Sequence, residues 1–157
     1  MTSSNEQILF ENAADKIRRY NQLCLHYNLI ADAVYQEWGR TKAPFSPSYE
    51  SYLVAALISF DIGRMMGKGL VQRYDVKAGG FATRLHAKLV EVQPLLAPVT
   101  NCRLTEVEIE DHAPDIASAY DSLAGRGEGG LSDQKNHFHG GATKILHFLN
   151  PELFAII

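Results

Sequence analysis

The sequence predicts an all-α fold, and three observations carry that expectation. Apolar residues recur at spacings of three, four or seven along much of the 157-residue chain, which is the period of one helix face. Capping residues precede these stretches, and glycine or proline follows them. The alternation of a half-buried strand is almost absent, with only "LTEVEIE" and "LFAII" offering it. The expected architecture is a compact multi-helix domain spanning residues 1–157, with a central buried helix near 47–66.

Ser4-Asn5-Glu6-Gln7 forms a capping box in which Ser4 caps and Gln7 reaches back. Phe10, Ala14, Ile17, Cys24, Tyr27, Ala31, Val34 and Trp38 then mark one helix face, and Gly39 suits the position just past the helix end. A single helix of that length would reach about 50 Å, so a break near Asn28 is expected. "RTKAPFSPS" is a linker, and Ser46-Pro47 supplies a cap followed by proline at the first helical position. The helix from Pro47 to about Met66 is apolar on most sides ("YLVAALISF"), which makes it the buried one. Gly67 and Gly69 end it.

A third helix begins near Gly79 or Gly80, turns Phe81, Leu85, Leu89 and Val92 inward, and stops before Pro94. "PLLAPVTNC" reads as irregular. Thr105-Glu106-Val107-Glu108 is a second capping box, opening a helix that Pro114 kinks or restarts and that runs to Ala124. "GRGEGG" is a flexible loop. The last helix opens at Gly140 or Gly141 and ends at Asn150-Pro151.

With 46% hydrophobic and 21% charged residues and a net charge of −3, nothing global draws the chain to nucleic acid or to a membrane. The charge is unevenly spread. Residues 61–90 set Arg64, Lys68, Arg73, Lys77, Arg84 and Lys88 against Asp61 and Asp75, whereas residues 105–128 carry seven acids against Arg126. The basic stretch either attracts the acidic one or faces an anionic ligand. Two cysteines make no disulfide framework. The start "MTSSNEQILF" lacks the pattern of a signal peptide, and no apolar run approaches the ~20 residues of a membrane span. A cytoplasmic protein is expected.

The candidate chemistry is sparse. His137 and His139 form an H-x-H pair, with His147 eight residues after His139. Such a pair converges on an ion only from extended backbone, with Asp133, Asp111 or His112 as further ligands. Asp61 and Arg64 are placed to pair on one helix face. The nucleophile elbow, phosphate loop and dinucleotide fingerprint are all missing from the sequence, and no cofactor is expected.

The ending "HGGATKILHFLNPELFAII" places a glycine turn before a helix, then a short Asn-Pro break and an apolar stretch. That order resembles the helix-hairpin-helix DNA glycosylases over residues 139–157. The resemblance implies that Gly140, Gly141, Thr143 and Lys144 meet a DNA phosphate through backbone N–H groups and a lysine, aided by Arg64, Lys68, Arg73 or Lys77. The glycines here are adjacent, where the family spaces them by one residue. The family's catalytic aspartate would fall just past Ile157, and the apolar ending predicts a native chain that continues. Three functions follow as expectations: binding of nucleic acid or another phosphate-bearing ligand, a structural or protein-interaction role without catalysis, and a metal-dependent hydrolase using His137 and His139.

Overall fold

The structure, a computed structural model, describes residues 25–62, 80–106, 108–125, 130–132 and 137–154, with the side chains of 25–27 and 61–62 excepted. Among them are five α-helices and no strand: α1 Leu25–Thr41, α2 Pro47–Ile62, α3 Phe81–Leu96, α4 Ile109–Ala124 and α5 His139–Leu149. The all-α expectation holds. α1 packs on α2 and α3 on α4, while α5 touches α1, α2 and α4 and so joins the two pairs. One core cluster draws residues from all five helices. None of the described helices is long and apolar enough to cross a membrane.

α1 buries Ala31, Val34 and Trp38, one face at helical spacing. It is unbroken from Leu25 through Asn28, and the Ser4 capping box and Cys24 lie outside the described residues. The helix passes through Gly39 and ends two residues later, which corrects the expected stop. Three interactions extend it: the Arg40–Glu37 pair at 2.7 Å, the Thr41 hydroxyl donating to the Glu37 carbonyl at 2.9 Å, and the Lys42 N–H donating to the Trp38 carbonyl at 2.8 Å. Lys42, with φ 50°, takes the left-handed position expected of the glycine.

Ser46 caps α2 as expected. Its Oγ accepts the Tyr49 N–H at 3.3 Å, and Pro47 occupies the first helical position. Tyr49, Leu53, Ala56 and Leu57 are 0–2 % exposed, an i, i+4, i+7, i+8 face. Ser51 and Ala55 are exposed, so the helix has a solvent edge despite its apolar sequence. The expected end near Met66 and the Asp61–Arg64 pair lie outside the described residues.

Gly80 precedes α3, whose inner face is the expected Phe81, Leu85, Leu89 and Val92, extended by Leu96. The helix does not stop before Pro94. The proline sits in its last turn, where it leaves the Val90 carbonyl without its i+4 donor; Val90 is exposed to solvent, and the buried Val92 and Leu96 hold the backbone in register. A 3₁₀ turn, Ala97–Val99, follows. The expected start of α4 at Thr105 is also corrected. Glu106 folds back to accept the Arg103 N–H at 3.2 Å and closes a separate turn there. The helix begins at Ile109 and carries Pro114 inside it.

α5 buries Ala142, Ile145, Leu146, Phe148 and Leu149. Its C-terminal carbonyls would be orphaned, but the rest of the fold takes them. The Tyr49 hydroxyl donates to the Phe148 carbonyl, and Trp38 Nε1 donates to that of Leu149 at 3.0 Å. Asn150, 1 % exposed, ends the helix. Its Nδ2 donates to the Val99 and Cys102 carbonyls at 2.9 and 2.8 Å.

Candidate functional site

The opposite end of α5 is built around Phe138. Its N–H donates to the Ala124 carbonyl at 2.9 Å, tying the segment to the end of α4. Its own carbonyl accepts the Gly141 and Ala142 N–H groups at 3.0 and 2.8 Å, which starts the helix. Its ring is buried against Phe81, centroids 6.0 Å apart, and lies where a Cβ on Gly141 would be. Gly141 is therefore required by the packing of Phe138. Gly140 faces more open space, with Lys144 Nζ the nearest atom at 3.8 Å from a built Cβ.

Thr143 and Lys144 both turn back on Gly140. The Thr143 hydroxyl donates to its carbonyl at 3.2 Å and Lys144 Nζ at 2.8 Å. Lys144 is only 7 % exposed, and its ammonium lies 3.7 Å from the centre of the Phe60 ring on α2. It holds α5 to α2 and adds positive charge beneath the helix start. The N–H groups of His139 and Gly140 have no acceptor among the described residues, as the first N–H groups of a helix commonly do not.

Over this end stands a ladder of three rings. Tyr120, from α4, stacks on His139 with centroids 5.8 Å apart and planes 15° apart. Its hydroxyl lies 2.8 Å from His139 Nδ1. His139 in turn stacks on His137 at 5.2 Å and 25°. His137 Nδ1 is 3.3 Å from the Ala124 carbonyl, which can only accept, so that nitrogen carries the proton. Both histidines are exposed.

This arrangement separates the H-x-H pair from a metal-ligand geometry. Near-parallel imidazoles at that spacing do not aim two nitrogens at one ion about 2.1 Å from each, and Tyr120 already holds one of them. His112 lies eight residues before Tyr120 on α4, about 12 Å along its axis. Asp133 is outside the described residues. Among the described residues no three His, Cys, Asp or Glu side chains gather where an ion would sit. His147 is at the far end of α5, half-buried. Its Nδ1 donates to the Phe154 carbonyl, so its Nε2 accepts from the Tyr35 hydroxyl at 2.7 Å. Burial holds its pKa below the usual histidine value.

No known protein family, curated protein or solved structure matches the chain. The geometry therefore stands alone. It brings together His137, His139, Gly140, Gly141, Thr143 and Lys144 at one helix start. The other expected phosphate contacts, Arg64 and Lys68, lie outside the described residues. Tyr120 and Phe138 were not read from the sequence as part of a site. Phe138 had one available signal, a large apolar residue directly before a helix-opening glycine pair. Tyr120 had none, because its partner is nineteen residues away across a loop.

Proposed function

We propose that the start of α5 binds nucleic acid, with the N–H groups of His139 and Gly140 on a phosphate and an unpaired base extending the ring ladder from His137. The observation that carries this reading is the Tyr120–His139–His137 stack, both histidines exposed, beside two N–H groups without acceptors among the described residues. Helix starts attract anions through free N–H groups and the helix dipole. Exposed rings accept bases of any sequence, at about 1–3 kcal/mol per base. The resemblance to the helix-hairpin-helix glycosylases supports the same assignment, with the glycine turn as the phosphate contact. Gly141 then acts by admitting Phe138, and Thr143 and Lys144 act from inside the turn. Arg64 and Lys68 belong to the proposal as further phosphate contacts from the basic stretch. The reading sets the protein in the cytoplasm, in keeping with the free thiol of Cys102.

The test is fluorescence anisotropy with a short labelled oligonucleotide, single-stranded and duplex, at low salt. The single strand should bind more tightly. Its affinity should fall with salt at a log–log slope of about −0.7 for each phosphate held. His139→Ala should weaken it by roughly tenfold, one stacking contact's worth. Absence of binding at low salt, or equal binding by His139→Ala, removes the proposal.

A further inference from the structure

Two helix ends meet at the ring ladder, and they carry opposite partial charges. Ala124 is the last residue of α4, and His139 is the first of α5. A helix bears roughly half a negative charge at its C-terminal end and roughly half a positive one at its start. His137 lies on the negative end, its Nδ1–H donating to the Ala124 carbonyl at 3.3 Å. His139 belongs to the positive end, with its Nδ1 held 2.8 Å from the Tyr120 hydroxyl. The charged groups nearby sharpen the contrast. The last turn of α4 contains Asp121 and no base. The first turn of α5 has no acid, and Lys144 places its ammonium 2.8 Å from the Gly140 carbonyl. Arg126, Glu128, Asp133 and Lys135, in the connection from α4 to α5, lie outside the described residues.

These surroundings make the two histidines unequal. A second proton on His137 would turn its bond to Ala124 into a charge-assisted one, at the helix end that favours a cation. A second proton on His139 would put a cation beside Lys144 and the free N–H groups of the helix start. Two stacked imidazoliums with centroids 5.2 Å apart would also repel each other. The pair therefore has room for one proton, and its place is His137.

We infer that His137 is the proton switch of this site: binding of a phosphate at the α5 start is coupled to uptake of one proton by His137, while His139 stays neutral. The inference rests on the nucleic-acid reading above. An incoming phosphate brings negative charge to the pair and so favours the protonated ring. By linkage, binding strengthens as pH falls through the range where imidazole ionises, near ~6.5.

The probe is a short labelled oligothymidylate, whose bases do not titrate in this range, followed by anisotropy at fixed low salt. Affinity should rise about three- to tenfold from about pH 7.5 to about pH 5.5. His137→Phe keeps a ring for the base and cannot take the proton, so its affinity should stay flat with pH. His139→Phe should keep the rise. In the unmodified chain at about pH 6.5, ring ¹⁵N NMR should show His137 moving toward its doubly protonated form as oligonucleotide is added, with His139 neutral throughout. That measurement decides alone should either variant fail to fold. Absence of binding at every pH removes the inference together with the reading beneath it. Four results overturn the inference alone: binding that shifts the ladder rings but is flat with pH, a rise retained by His137→Phe, a rise lost in His139→Phe, or a proton taken up on His139.

Discussion

Replacing Gly141 with alanine tests the construction of the α5 start at its tightest point. In an open helix this change adds stability, by up to about 1 kcal/mol, since alanine is the better helix former. Gly141 is not open. A Cβ there would come closer than 3.0 Å to three atoms of the Phe138 ring, a separation real Cβ atoms essentially never show. The ring has little room to retreat, being 6 % exposed and packed on Phe81. Forced overpacking costs about 1–3 kcal/mol, and expelling the ring altogether would approach the 3–5 kcal/mol of losing a buried phenylalanine. Subtracting a helix gain of about 1 kcal/mol leaves a net loss of about 0–2 kcal/mol if the ring is only strained and about 2–4 kcal/mol if it is expelled. For a chain of this size that lowers Tm by roughly 2–4 °C per kcal/mol. Gly39→Ala is the matched control: its Cβ would meet nothing within 4 Å, so it should be neutral or stabilising by up to about 1 kcal/mol. Urea titration of both variants gives the comparison. If Gly141→Ala is as stable as Gly39→Ala, Phe138 does not sit as described and the helix start must be rebuilt.

Three further outcomes follow from the packing. Leu57→Ala should cost about 2–5 kcal/mol in the same titration, since Leu57 is 2 % exposed on the inner face of α2; a loss under about 1 kcal/mol would move α2 out of the core. Asn150→Ala should cost about 1–3 kcal/mol by stranding the buried Val99 carbonyl and the half-buried Cys102 carbonyl, read as a drop in the denaturation midpoint at unchanged slope. His147 should make stability depend on pH. Burial lowers its folded pKa, so between that value and the ordinary ~6.5 the unfolded chain binds more protons. Its contribution is therefore complete above ~6.5 and is lost as pH falls through the folded value. Stability measured from pH 7 to 5 should fall less steeply in His147→Gln; identical profiles would show that the imidazole is not buried between Tyr35 and Phe154.

Much of this fold was legible because local rules and packing agreed. The inner face of α3 was read residue for residue, since Phe81, Leu85, Leu89 and Val92 have no competing pattern. Ser46-Pro47 marked the start of α2 for a reason intrinsic to the dipeptide. Helix ends were less legible where tertiary contacts override local signals. Gly39 looked like a terminator, yet Thr41 and the Arg40–Glu37 pair carry the helix past it. Pro94 looked like a stop, yet Leu96 is needed in the core. Lys144 was expected on a phosphate, and nothing in the sequence signalled that its long stem buries beside Phe60 while its ammonium is bonded to the Gly140 carbonyl. The ring ladder could not be read at all, because stacking Tyr120 on His139 depends on how α4 meets α5.

The most direct test of nucleic-acid binding at the α5 start is an amide and aromatic NMR titration with a short single-stranded oligonucleotide at neutral pH and low salt. The account predicts saturable shifts at the His139 and Gly140 amides and at the rings of His137, His139 and Tyr120, all fading together as salt is added. An oligonucleotide that leaves these signals in place, whether or not it shifts others, would contradict it.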